Sequence, residues 1–314
     1  NCDTCVEGNT NLDACESFLY NVPFHVGANL ISFYALPLDN TLSNMLISND
    51  NDFLYAISGL TNSSINLGNN MWEGSLTEIS KTEGYWFKTI NAMTLDIPDV
   101  WDTNDSIEYN LSFGSNLVSL PTNLSFSIED IIPDDLELYF EAIIGESLIA
   151  VRLEDGSWIG SLSMLQGGKG YYFILNESID FIYNINRGSS KVSEQNNFSA
   201  EYTQSSQQAF YILDNDLLNL NLGDVVYAFN NDVIVGKRIV NSRWIDVPIM
   251  GYDETLRTSG YCNENDFPTF KVKKQSGEIV NLYGNVSSFK SQDISFVELS
   301  LNEEINLLPS STNI

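Results

Sequence analysis

Gly27-Ala28-Asn29-Leu30-Ile31-Ser32-Phe33, closed downstream by Gly84-Tyr85-Trp86-Phe87, is the stretch that decides how this chain folds, because it occurs twice. Gly114-Ser115-Asn116-Leu117-Val118-Ser119-Leu120 and Gly170-Tyr171-Tyr172-Phe173 repeat it. Between the two signatures the register holds. Ala56-Ile57 and Gly59 answer Ala142-Ile143 and Gly145, and Trp72 with Gly74-Ser75-Leu76 answers Trp158 with Gly160-Ser161-Leu162. The first motif returns after 87 residues and everything later after 86, so a single one-residue slip between residues 33 and 54 accounts for the difference. This is the pattern of a small module duplicated in tandem.

At 314 residues the chain suits two or three domains rather than one core, and 43% apolar with 12% aromatic residues can fill those cores. Its 14 basic against 42 acidic side chains give a net charge of −28. On that average no basic patch is expected, so nucleic acid and anionic membrane are poor partners. The acidity reads either as a solubility adaptation to salt-rich surroundings or as cation binding. No apolar run reaches the roughly 18 residues that a bilayer span needs, so no membrane insertion is expected. The start at Asn1-Cys2 without a Met fits a processed, exported form.

Cys2, Cys5 and Cys15 crowd the amino terminus, and Cys262 stands alone. Four cysteines allow two disulfides in three pairings, which implies passage through an oxidising compartment. Closing Cys5 onto Cys15 would leave Cys2 to reach Cys262, in the same chain or a neighbouring subunit. Zinc at Cys2-x-x-Cys5 would need two further ligands, and the single histidine, His25, is flanked by Phe24 and Val26 on an expected strand.

The expected fold is mainly β, two tandem small β-rich modules with one short helix each, followed by a β-sandwich domain. Residues 1–21 read as a Cys-rich lead-in, 22–100 as the first module and 101–183 as the second. The helix of the second is signed by Ser127-x-x-Asp130 ahead of Ile128, Ile131 and Ile132, and stopped by Pro133. Leu111–Leu120 reads as one of its strands, and Asp155-Gly156 marks a hairpin turn. Gly27 and Gly114 each precede an Asn and a buried strand run, which predicts a bulge or positive φ. The aromatic positions Trp72 and Trp158, Tyr85 and Tyr171, Trp86 and Tyr172 repeat in register and are expected in the cores, with a sugar-stacking surface as the alternative. Gly27, Asn29, Gly84, Gly114, Asn116 and Gly170 complete the repeated set. Residues 184–204 read as a linker. Short alternating strands over 205–301 suggest the sandwich, and 302–314 form a polar tail.

The repeats resemble the Gly-x-Asn-Leu-Ile-Ser … Gly-Tyr-Trp modules of exported surface proteins of marine and environmental bacteria and of some virion proteins. Val226 to Phe229, Val235-Gly236, Val247-Pro248-Ile249-Met250-Gly251-Tyr252-Asp253 and Pro268 to Lys271 resemble the β-sandwich domain that accompanies them. The resemblance implies a fold and a secreted setting. It carries no catalytic residues.

No Gly-x-Ser-x-Gly, phosphate-binding loop, Gly-x-Gly-x-x-Gly or His-Glu-x-x-His occurs. Asp50-Asn51-Asp52, Asp102-Thr103-Asn104-Asp105 and Asp214-Asn215-Asp216 offer oxygen ligands, but none fits the calcium-binding helix-loop-helix pattern. No cofactor is expected, and calcium is the one candidate. The expectation is a non-enzymatic structural or adhesive subunit of an extracellular assembly, a surface filament, outer layer or virion appendage. Its partners would be copies of itself or other surface or virion proteins, at the cell or virion surface. A secreted carbohydrate-binding protein that takes glycans is the alternative, and a glycoside hydrolase using two of the many carboxylates a more remote one.

Overall fold

The computed structural model describes residues 17–46, 53–102, 106–185 and 201–301. Strand makes up 49% and helix 7%, so the protein is mainly β as expected. It divides into two compact units: the first holds the first repeat and most of the second, and the second holds the described residues 201–301 together with 147–149 and 159–161.

In the first repeat, β1 (Phe18–Phe24), β2 (Gly27–Ser32), β3 (Ala35–Leu36), β4 (Leu54–Ser58), β5 (Ser63–Asn66), β6 (Trp72–Gly74), β7 (Gly84–Thr89) and β8 (Met93–Asp102) follow in order. The second has β9 (Tyr109–Leu111), β10 (Gly114–Val118), β11 (Ser125–Ser127), β12 (Phe140–Ile144), β13 (Ile149–Arg152), β14 (Trp158–Gly160), β15 (Met164–Gln166), β16 (Tyr171–Leu175) and β17 (Ile179–Phe181). The main sheets run β2-β7-β4-β5-β6 and β10-β16-β12-β13-β14. These are one strand order at the offset read from the sequence. Even the irregularities recur: a register shift falls between Leu54 and Ala56 on β4 and between Phe140 and Ala142 on β12. The short helices α1 (Leu42–Met45) and α2 (Ile128–Ile131) also correspond, and Ser127 caps α2 by accepting from the Asp130 amide at 3.2 Å.

Local chemistry fixes the start of each main sheet. Gly27 has φ 100° and Gly114 φ 88°, a left-handed turn into β2 and β10 that a Cβ disfavours. Two residues on, an asparagine locks the turn. Asn29 accepts from the His25 amide at 2.8 Å and donates to the His25 and Gly27 carbonyls at 3.0 and 3.2 Å. Asn116 does the same for Ser112 and Gly114, at 2.8, 2.7 and 3.1 Å. Each side chain thus satisfies backbone groups that the tight connection leaves out of the ladder. His25 therefore lies in the connection between β1 and β2, not on a strand as expected. Likewise the expected strand over Leu111–Leu120 is two, β9 and β10, because the Gly114 turn divides it. Edge-to-face ring packing fills the cores, with Phe33 against Phe87 at 5.8 Å and Phe173 against Phe181 at 5.8 Å.

The second unit contains β18 (Gln208–Asp214), α3 (Asn215–Leu218), β19 (Val225–Asn230), β20 (Val233–Ile239), β21 (Trp244–Met250), β22 (Thr269–Lys273), β23 (Ile279–Gly284), β24 (Ile294–Phe296) and β25 (Leu299–Ser300). Its sheets run β21-β18-β24 and β20-β19-β22-β23-β25 and share one core that includes Tyr211, Val247, Val226, Phe270 and Cys262. β18 and β24 are parallel, a pairing that no local sequence signal indicates. Thr203, within the expected linker, already bonds the Tyr261 hydroxyl through its amide at 2.7 Å. The rest of that linker, 186–200, and the tail 302–314 lie outside the described residues.

Asn29→Ala and Asn116→Ala should each lower stability by about 1–3 kcal/mol, because each leaves buried backbone groups unpaired. Urea unfolding with an unchanged slope is the check, and wild-type midpoints for both variants would contradict this role for the asparagines.

Candidate functional site at the paired modules

Gly84 and Gly170, equivalent positions in the two repeats, lie against one another. A Cβ on Gly84 would stand 3.1 Å from the Gly170 Cα and 3.1 Å from the Val118 carbonyl oxygen; one on Gly170 would stand 3.3 Å from the Gly84 Cα and 3.2 Å from the Ile31 carbonyl oxygen. The bonds around this point come in reciprocal pairs. Ile31 bridges Lys169, and Val118 bridges Glu83. The Ser32 amide donates to the Gly168 carbonyl at 3.1 Å, and the Ser119 amide to the Thr82 carbonyl at 3.2 Å. The Ser32 and Ser119 hydroxyls also donate across at 2.6 Å each, though to carbonyls two positions apart in the repeat register, those of Lys169 and Lys81. Trp86 Nε1 donates to the Tyr172 hydroxyl at 2.9 Å, joining one more equivalent pair. The same patch on each module thus meets itself, the geometry of a two-fold dimer built within one chain.

The remaining repeated residues are divided between packing and support. Tyr85 and Tyr171 are buried, and each hydroxyl accepts a backbone amide at 2.7 Å, from Ser80 and Gln166. Trp72 and Trp158 are half-buried on β6 and β14, with their indole N–H groups on Asn70 at 3.1 Å and Glu137 at 3.5 Å. They do not form the open stacking platform of the alternative reading. Cys2, Cys5 and Cys15 lie outside the described residues. Cys262 is 1% exposed, and burial pushes its thiol up to about 12. Asp50-Asn51-Asp52 and residues 103–105 also lie outside the described residues, while Asp214 caps α3 and pairs with Arg243 at 2.7 Å. Among the described residues no three of His, Cys, Asp and Glu converge.

The two-fold relation is broken where the repeats differ in sequence. On one side Glu146 bonds His25 Nε2 through Oε1 and accepts from the Leu30 amide through Oε2 at 3.0 Å. His25 Nδ1 faces the Val26 carbonyl at 2.9 Å, so both ring nitrogens face acceptors and the imidazolium, a donor at both, suits the place. On the other side Leu60 stands where Glu146 does, Ser112 where His25 does, and Glu83 where Lys169 does. There a cavity of about 370 Å³ opens, lined by Leu60, Asn62, Glu83, Glu108, Asn116 and Leu117 among others, and the buried Asn62 Oδ1 has no hydrogen-bond partner. Residue-by-residue alignment of the two copies points to these places, because a charge replaces an apolar or opposite residue there; the contact of His25 with Glu146 has no other signal.

No protein-family model, no curated protein and no solved structure matches the chain.

Burial opposes a charge on His25, but the Glu146 carboxylate outweighs it and holds the imidazole above its ordinary 6.5. Burial likewise opposes the charge on Glu146, and His25 outweighs it and holds the carboxyl below its ordinary 4.5. The pair therefore stabilises the modules fully between those ordinary values. Its contribution fades as pH rises through the raised His25 value and as pH falls through the lowered Glu146 value. His25 is the only histidine, so its Cε1 proton gives one titrating NMR signal. Its midpoint should lie above 6.5 and fall in Glu146→Gln; a midpoint at or below 6.5 in the unaltered protein would contradict the pairing.

Proposed function

We propose that this chain is a structural or adhesive subunit of an extracellular assembly, set at a cell or virion surface and exported through an oxidising compartment. The observation that supports this reading is the use made of the repeated aromatics. Trp86 and Tyr172 hold the two modules to one another, and Tyr85 and Tyr171 support turns from within the cores. A duplication whose shared residues serve packing and pairing builds a cooperative block, which is what a load-carrying subunit needs. The amino-terminal cysteines would add covalent links, and the copies of the chain would be one another's partners.

The cavity between the modules favours a second reading, a carbohydrate-binding protein. Its polar lining suits a ligand rich in hydroxyl groups.

Mass measurement of the native protein separates the two. The first reading expects species at multiples of 35.1 kDa whose population grows with concentration. A monodisperse 35.1 kDa species that binds oligosaccharides, and loses them in Asn62→Leu, would replace it with the second.

A further inference from the structure

We infer that the outer face of the β20-β19-β22-β23 sheet docks the acidic ridge of residues 129–141 on a second copy of this chain; this rests on the assembly reading above. The strand registers place side chains in rows. Ile239, Val225, Lys273 and Ile279 stand abreast, and Lys237, Tyr227, Lys271 and Asn281 form the next row. These alternate with the buried Val226, Ala228, Val272 and Leu282, so both rows face away from the core. Ile239 is 55% and Ile279 65% exposed.

The composition of this face is the reverse of the chain's. With 14 bases against 42 acids overall, the two rows hold three lysines and no carboxylate. The lysines are also set among aromatic rings: Lys271 Nζ lies 4.8 Å over the Phe229 ring, and the Phe229 and Tyr227 rings are 6.4 Å apart. One carboxylate already shows how the face takes an acid. Glu201 receives Lys237 Nζ at 2.5 Å and the Tyr227 hydroxyl at 3.2 Å. Lys271 and Lys273 form no ion pair among the described residues.

The complement lies in the first unit. Residues 129–141 carry Glu129, Asp130, Asp134, Asp135, Glu137 and Glu141 with no base, all of them at least partly exposed. Leu138 stands among them, 53% exposed. A segment of carboxylates with an exposed leucine answers a face of lysines with exposed isoleucines and rings, in sign and in polarity. Because ridge and face are different surfaces, the contact is head-to-tail, and copies add without end unless the rotation closes a ring.

Sedimentation velocity on the full chain tests this with a face variant, Lys237→Glu/Lys271→Glu/Lys273→Glu, and a ridge variant, Asp134→Lys/Asp135→Lys/Glu141→Lys, each checked for unchanged near-ultraviolet circular dichroism. At one fixed ionic strength, high enough to screen the repulsion between copies of net charge −28, each variant should bind itself at least about tenfold more weakly than the unaltered chain. An equimolar mixture of the two variants should regain association, through the intact ridge on the intact face and the charge-reversed face on the charge-reversed ridge. Should a variant misfold, the neutral Lys237→Gln/Lys271→Gln/Lys273→Gln chain replaces it, with weakened association expected. Variants that assemble like the unaltered chain would overturn this docking mode and leave the assembly reading standing. An unaltered chain that stays monomeric at every concentration and salt would overturn both. Retention of that monomer on a sulfated polysaccharide through the three lysines would assign the face to an anionic glycan instead.

Discussion

The backbone contact of Gly84 with Gly170 is the constraint on which the first unit depends. β2 and β10 are edge strands of their sheets, and an uncovered edge leaves a row of unpaired amides and carbonyls. Here each edge is covered by the other module: the Ser32 amide and the Leu30 carbonyl find Gly168 and Gly170, and the Ser119 amide finds Thr82. Such bonds form only if the two chains approach to within about 3 Å of one another's backbone, and a side chain at either glycine would hold them apart. A module by itself would keep its exposed edge. Duplication supplies the missing half.

That pairing explains which residues the two copies share. Asn29 and Asn116 shape the turn that starts the edge strand, Tyr85 and Tyr171 tie down the loop ahead of the strand beside it, and Trp86 and Tyr172 meet across the join. The recurrence of these residues was legible in the sequence, since a left-handed glycine, an asparagine two residues on and an aromatic pair each leave a residue type at a fixed offset. The roles of the asparagines and of Trp86 with Tyr172 were not, and neither was the join itself. Gly84 and Gly170 stood out only as repeated positions, because close approach to another surface leaves the same single letter as a turn. Nor did the sequence indicate that His25 would meet Glu146 across 121 residues, or that β24 would lie parallel to β18; both depend on long-range placement that no local pattern encodes.

Charge teaches a similar lesson. A net charge of −28 argues against basic surface on average, yet alternation on β19, β20 and β22 puts Lys237, Lys271 and Lys273 on one face. Composition sums over the whole surface, whereas a partner meets only one patch of it. The average still has physical meaning, because it sets a long-range repulsion between copies that such a patch must overcome at short range.

Native-state hydrogen exchange on the full chain, read segment by segment, tests most directly whether the two modules are one cooperative block. The amides of β2 and β7 should open with the same free energy as those of β10 and β16, and Gly84→Val should lower both by the same amount. Modules that exchange with unequal free energies, or a Gly84→Val effect confined to the first, would contradict it.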